Sequence, residues 1–180
     1  MCGTRLAALS LATILFYGFI YTLWLKPRTP QNIVIGGVAG AMAPVGAWTA
    51  ATGSMSMLPW FMFLLIFLWT PPHFWSLALC FKDDYIKTKL PMMPVIEGDK
   101  KTLDLILFYS ALTVLVSFAP LIVDKNPLYF AVALFLGVTL IHKSVRARMK
   151  KDRKYYWDLF KFSIIYLFAM LAAVALIGKV

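Results

Sequence analysis

From Met57 to Phe81 the chain reads MLPWFMFLLIFLWTPPHFWSLALCF, 25 residues without one Asp, Glu, Lys or Arg. A helix of that length, rising about 1.5 Å per residue, crosses roughly 30 Å of hydrocarbon with residues to spare. The stretch therefore reads as a membrane-spanning helix. Five further apolar runs share the chain with it: Leu6 to Leu25, Ile33 to Ala51, Leu103 to Val123, Pro127 to His142 and Leu159 to Ile177. Only Pro127 to His142, at 16 residues, is short for a span. With 61% of its 180 residues apolar and 14% charged, the chain has too little polar surface to coat a soluble globule. The expected fold is all-α: a polytopic transmembrane helical bundle of six spans, residues 1–180 forming a single membrane domain. Cys2 and Cys80 are too far apart in character and position to build a disulfide framework or a thiolate cluster.

Basic residues set the orientation, because Lys and Arg in short loops favour the cytoplasmic side. The loops after the first, third and fifth runs fall on one side. They carry Lys26 and Arg28, then Lys82, Lys87, Lys89, Lys100 and Lys101, then Lys143 to Lys154 with its seven basic residues. The opposite side holds only Arg5, Lys125 and Lys179. The net charge of +10 is thus a topology signal, and no nucleic-acid partner is expected. The segment His142 to Lys161, with eight Lys or Arg and Tyr155, Tyr156 and Trp157, is expected to lie as a helix on an anionic membrane surface.

Charge is costly in a bilayer, so the polar islands carry the chemical information. Lys82-Asp83-Asp84-Tyr85 follows the quoted stretch, and two carboxylates at a helix C-terminus stand against the negative end of its dipole, a placement that costs energy unless a cation is near. Paired carboxylates suit Mg²⁺ whose other ligands are waters and phosphates, with Lys82 and Lys87 to hold a diphosphate. On spacing alone, the other reading is that Lys82, Lys87 and Lys89 simply neutralise two aspartates on a solvated loop. YTLWLKPRTPQN, Tyr21 to Asn32, places Lys26 and Arg28 on the same side, able to grip a phosphate or merely to anchor the helix. Inside the membrane, Pro71 and Pro72 deprive the carbonyls of Phe67 and Leu68 of their amide partners, so the helix is expected to bend there. His73 lies about 12 Å below the helix end, where it either bonds a freed carbonyl or, with Trp69 on the same face, meets a flat aromatic ligand. Gly36 and Gly40 form a GxxxG pair read as helix packing.

YTLWLKPRTPQNIVIGG (Tyr21 to Gly37) and WTPPHFWSLALCFKDDYIKTKLPMMPV (Trp69 to Val95) resemble the protohaem IX farnesyltransferases, or haem O synthases, among the UbiA-type intramembrane prenyltransferases. The resemblance covers nearly the whole chain. It implies a bundle of about nine spans in which cytoplasmic acidic motifs hold a prenyl diphosphate through Mg²⁺. It implies farnesyl transfer from farnesyl diphosphate to a vinyl group of haem B, giving haem O for terminal oxidases. Asp83, Asp84 and Tyr85 fall on the family's second acidic motif and are expected to be catalytic, Asp83 and Asp84 as metal ligands. Tyr21, Lys26, Arg28, Asn32, Trp69, His73, Lys82 and Lys87 are expected to bind substrate. The wider superfamily's DxxxD spacing fails here, since Thr88 stands four after Asp84.

The family's first acidic motif, of NxxxDxxxD form, has no counterpart before Asp83. The chain is therefore expected to be the C-terminal part of a longer enzyme, with little activity alone. The expected setting is a bacterial inner membrane, with haem A synthase or terminal oxidase assembly proteins as partners. A quinone precursor as acceptor, or a non-enzymatic transporter or assembly subunit, are the alternative readings.

Overall fold

The computed structural model describes residues 2–177, without the side chains of residues 2–6, 9 and 177. The expected outer-side charges Arg5 and Lys179, and the side chain of Cys2, lie outside that set. Nine α-helices follow one another with no strand among the described residues: α1 (Cys2–Leu15), α2 (Asn32–Ala41), α3 (Ala43–Thr52), α4 (Met57–Cys80), α5 (Lys82–Lys87), α6 (Met93–Ile96), α7 (Gly98–Ser117), α8 (Pro127–Lys150) and α9 (Arg153–Ile177). Phe16–Leu25 continues α1 in wider π-type turns, the Lys26 amide donating to the carbonyl of Tyr21 five residues back. Met42 separates α2 from α3 because Pro44, in the first turn of α3, has no amide to carry the ladder through.

Five helical stretches among the described residues are long and apolar enough to cross a membrane: Asn32–Thr52, Met57–Cys80, Gly98–Ile122, Pro127–Lys150 and Arg153–Leu176. The apolar Ser10–Leu25 is shorter, and the expected first span, Leu6 to Leu25, begins among side chains outside the described set. The protein is an integral, multi-pass, all-α membrane bundle. Leu115, Leu128, Phe135 and Phe168 face outward, as a lipid-solvated surface requires.

The quoted stretch forms the hub. α4 packs against α2, α3, α7 and α9, and Trp75, Ala78, Leu65 and Leu79 disappear into the core. It stays one helix through Pro71 and Pro72, both buried against protein. Small polar residues let its neighbours close in. Ser110 and Ser144 hydroxyls meet at 3.0 Å between α7 and α8, and the Tyr129 hydroxyl donates to the Ser117 carbonyl at 2.7 Å.

Two expectations are corrected at the polar end. The short fifth run is a 24-residue helix, since α8 continues through its basic turns to Lys150. The region His142 to Lys161 is accordingly no surface helix but the turn of a helical hairpin. Lys151 takes a left-handed conformation (φ 49°) that stops α8, and the Asp152 carboxylate accepts from the Lys154 amide at 2.8 Å as α9 begins.

At Gly137 on α8 an added Cβ would lie 2.7 Å from Cγ1 of Val114 on α7. Gly137→Val is expected to cost about 1–3 kcal/mol by overpacking. Thermal unfolding in detergent should show a lower Tm, recovered in part by adding Val114→Ala.

Candidate active site

The turns that follow Phe16–Leu25, α4 and α8 emerge at one end. The Arg153 guanidinium lies 5.7 Å from the Phe81 ring centre, and Lys26 and Tyr85 line one cavity. That cavity, of about 510 Å³, is bordered by Phe16–Leu25, α2, the stretch of α4 from Ile66 to Phe74 and the segment from Tyr85 to Met92. Its volume suits a small-molecule site, for which about 300–1,000 Å³ is usual.

Glycines make the room. A Cβ on Gly36 would stand 2.3 Å from the Tyr21 ring, so that ring seats directly on the α2 backbone. Gly37 faces Thr70 of α4, where a Cβ would sit at 3.2 Å, while Gly40 has open space beside it and lines the cavity. The Gly36 and Gly40 pair thus seats a tyrosine and clears a cavity, and Gly37 is the glycine that faces α4. Ile33, Ile66, Trp69 and Phe74 supply apolar wall, and Lys26, Asn32 and Tyr85 supply polar groups.

Asn32 is 2% exposed. Its side-chain nitrogen donates to the Lys26 carbonyl at 3.3 Å, whereas its Oδ1 is buried with no partner. An unpaired buried acceptor on a cavity wall calls for a donor or a cation there.

The aspartates are placed differently from expectation. Phe81, at φ −117° and ψ 28°, ends α4, and Asp83 and Asp84 occupy the first turn of α5. At a helix start a carboxylate is favoured, so the expected dipole penalty is absent. Both are exposed. Asp84 meets the Lys87 ammonium at 3.5 Å, but Lys82 reaches across to Asp99 at 2.6 Å. The Arg28 guanidinium donates to the Trp24 carbonyl at 3.1 Å. Of the expected site residues, the cavity gathers Tyr21, Lys26, Asn32, Trp69 and Tyr85; Arg28, Lys82, Asp83, Asp84 and Lys87 do not line it.

His73 is built into the core. Trp69 stacks on it at 4.2 Å between ring centres and Phe160 of α9 at 4.6 Å, which sandwiches the imidazole. Its Nδ1 lies 2.7 Å from the Ser163 hydroxyl, and Trp69 Nε1 donates to the Ser163 carbonyl at 2.7 Å. The histidine is bonded to a hydroxyl on α9 and not to a carbonyl freed by the prolines. It holds Trp69 in place at the cavity wall. His73→Ala removes the middle of this stack and is expected to cost about 3 kcal/mol of stability, within the range for deleting a buried ring. Thermal unfolding checks this.

Sequence reasoning missed Tyr17, Thr70, Phe74, Leu90 and Met92 in the cavity. The glycines of α2, read as packing, were the available signal.

The family model for the UbiA prenyltransferase family matches residues 1–177. This chain belongs to that family. It is 47% identical over 173 residues to a protein from Synechocystis named Protoheme IX farnesyltransferase, covering 93% of this chain and 54% of that one. It is 47% identical over 174 residues to a protein of the same name from Bradyrhizobium, covering 94% and 56%. A Thermus thermophilus protein of that name is 44% identical over 170 residues, which is 94% of this chain and 28% of the relative. The chain thus spans about half the length of the Synechocystis and Bradyrhizobium relatives and less of the Thermus one. No solved structure matches it. UbiA prenyltransferases generally use a divalent metal with diphosphate substrates.

Proposed function

We propose that the whole protein transfers the farnesyl group of farnesyl diphosphate to a vinyl group of haem B, giving haem O. This chain supplies the prenyl cavity and the acidic pair at its polar end. The observation that carries the reading is the cavity itself: apolar walls within the span, and Lys26, Asn32 and Tyr85 grouped with them, Tyr85 on the same short helix, α5, as Asp83 and Asp84. The similarity to three proteins bearing the farnesyltransferase name supports the choice of substrates.

The farnesyl chain lies among Ile33, Ile66, Trp69 and Phe74, its apolar surface kept from water. Lys26 neutralises charge on the diphosphate, and Asn32 Oδ1 accepts from a donor or cation at the head group. As the carbon–oxygen bond of the allylic diphosphate breaks, its electron pair leaves with diphosphate. The vinyl group's electron pair forms the new carbon–carbon bond. Water then adds to the cationic carbon beside the porphyrin and releases one proton. Asp83 and Asp84 are exposed oxygen donors that fit a hard cation, and Mg²⁺ there would leave positions for water and phosphate. That ion's chemistry is to offset charge developing on the leaving group. Trp69, backed by His73, offers an aromatic face for the haem. The polar end is assigned to the cytoplasmic side of a bacterial inner membrane, on its lysines and arginines and on its bacterial relatives.

Membranes containing the whole protein, given farnesyl diphosphate and haem B, should yield haem O by mass. Prenylation of a hydroxybenzoate in place of haem B would reassign the acceptor.

A further inference from the structure

A second polar cavity, of about 250 Å³, lies away from the prenyl cavity, between α8 and α9, and is lined by Thr139, His142, Lys143, Arg146, Tyr155 and Asp158. Thr139, His142 and Arg146 recur at helical spacing and form one stripe of α8, and Tyr155 and Asp158 form one stripe of α9. Among the described residues no ion pair engages Lys143, Arg146 or Asp158. The two cations rest on rings instead, Arg146 at 5.1 Å from Tyr155 and Lys143 at 5.6 Å from Phe162. Their charge is therefore free to meet an anion, and the arginine plane is held ready by the tyrosine.

Followed toward the membrane centre, both stripes turn apolar. Phe135, one turn below Thr139, is 71% exposed, and Ile165, two turns below Asp158, is 59% exposed. The charged recess at the end of the helices is thus followed, on both helices, by exposed apolar side chains that face lipid. Such a gradient matches a phospholipid, with its phosphate at the basic pocket and its acyl chains below.

We propose that this cavity is a phospholipid headgroup site. Lys143 and Arg146 take the phosphate. Asp158, for which no hydrogen-bond or ion-pair partner stands among the described residues, takes a hydrogen-bond donor from the headgroup. Ethanolamine and glycerol headgroups carry such a donor and choline does not, so the site selects phosphatidylethanolamine or phosphatidylglycerol over phosphatidylcholine.

The test uses the protein purified in mild detergent and exchanged into nanodiscs of phosphatidylcholine doped with phosphatidylethanolamine or phosphatidylglycerol. Lipid retained after return to detergent is counted by native mass spectrometry. The wild type should retain one donor-bearing lipid per chain, at least fivefold over phosphatidylcholine, and should not retain soluble glycerophosphoethanolamine. Lys143→Ala with Arg146→Ala should lower retention at least fivefold, and Asp158→Asn should reduce the headgroup preference while leaving a phospholipid bound. Equal retention of all headgroups by the wild type overturns the proposal without any variant. Unchanged retention by a folded double variant overturns it as well. Retention of glycerophosphoethanolamine would make this a soluble phosphate site and would also overturn it.

Discussion

Asp84→Asn in the whole protein should lower haem O formation about a hundredfold or more, with the bundle intact. The substitution keeps the shape of the side chain and removes its charge, so it separates an electrostatic role from a packing one. Asp84 is exposed, and beside a 3.5 Å approach to Lys87 its hydrogen bonds are made through its backbone amide and carbonyl, so folding has little need of the carboxylate. A surface pair of that kind contributes about 0–1 kcal/mol. The proposed reaction has more need of it, since a preorganised group acting on developing charge is worth about 10²–10³ in rate. Haem O yield measured beside Tm distinguishes the two. A normal yield would remove Asp84 from the reaction. A matched fall in yield and Tm would make it structural.

The Gly36→Ala substitution carries the second large effect. Its Cβ would fall 2.3 Å from the Tyr21 ring, a separation no real contact tolerates, so the ring must move, and it moves within the cavity. Forcing such a shift costs about 1–3 kcal/mol. Charged to substrate binding, that is about a tenfold rise in the KM for farnesyl diphosphate, since 1.36 kcal/mol is a factor of ten. Adding Tyr21→Ala should restore Tm by removing the clash. A Gly36→Ala enzyme with unchanged KM would mean that Tyr21 does not border the prenyl diphosphate.

The spans were legible because 20-residue apolar runs leave few other structures in lipid, and the alignment of basic loops marked which ends belong together. Helix ends were less legible. Phe81 closes α4 by its own backbone conformation, and nothing in LCFKDD announces that the aspartates open a new helix. Similarly, the basic run after His142 resembles an interfacial helix until Lys151 turns left-handed and Asp152 caps α9. Side-chain partners were least legible. Lys82 chooses Asp99, 17 residues away, over its neighbour Asp83, and His73 finds Ser163, 90 residues away. Such pairings depend on tertiary distances that local spacing does not encode. The cavity had one trace in sequence, the glycines of α2, but a small-residue stripe serves close packing and open space alike.

The proposed reaction requires a prenyl diphosphate in the cavity between Phe16–Leu25, α2 and α4, with its head toward Lys26 and Asn32. A farnesyl diphosphate analogue with a photoreactive tail, irradiated in membranes of the whole protein and mapped by peptide mass spectrometry, tests it most directly. The labels should fall on peptides containing Ile33, Ile66 or Phe74, and excess unlabelled farnesyl diphosphate should remove them. Competable labelling confined to the outer faces of α8 and α9, with none on α2 or α4, would place the prenyl diphosphate outside this cavity.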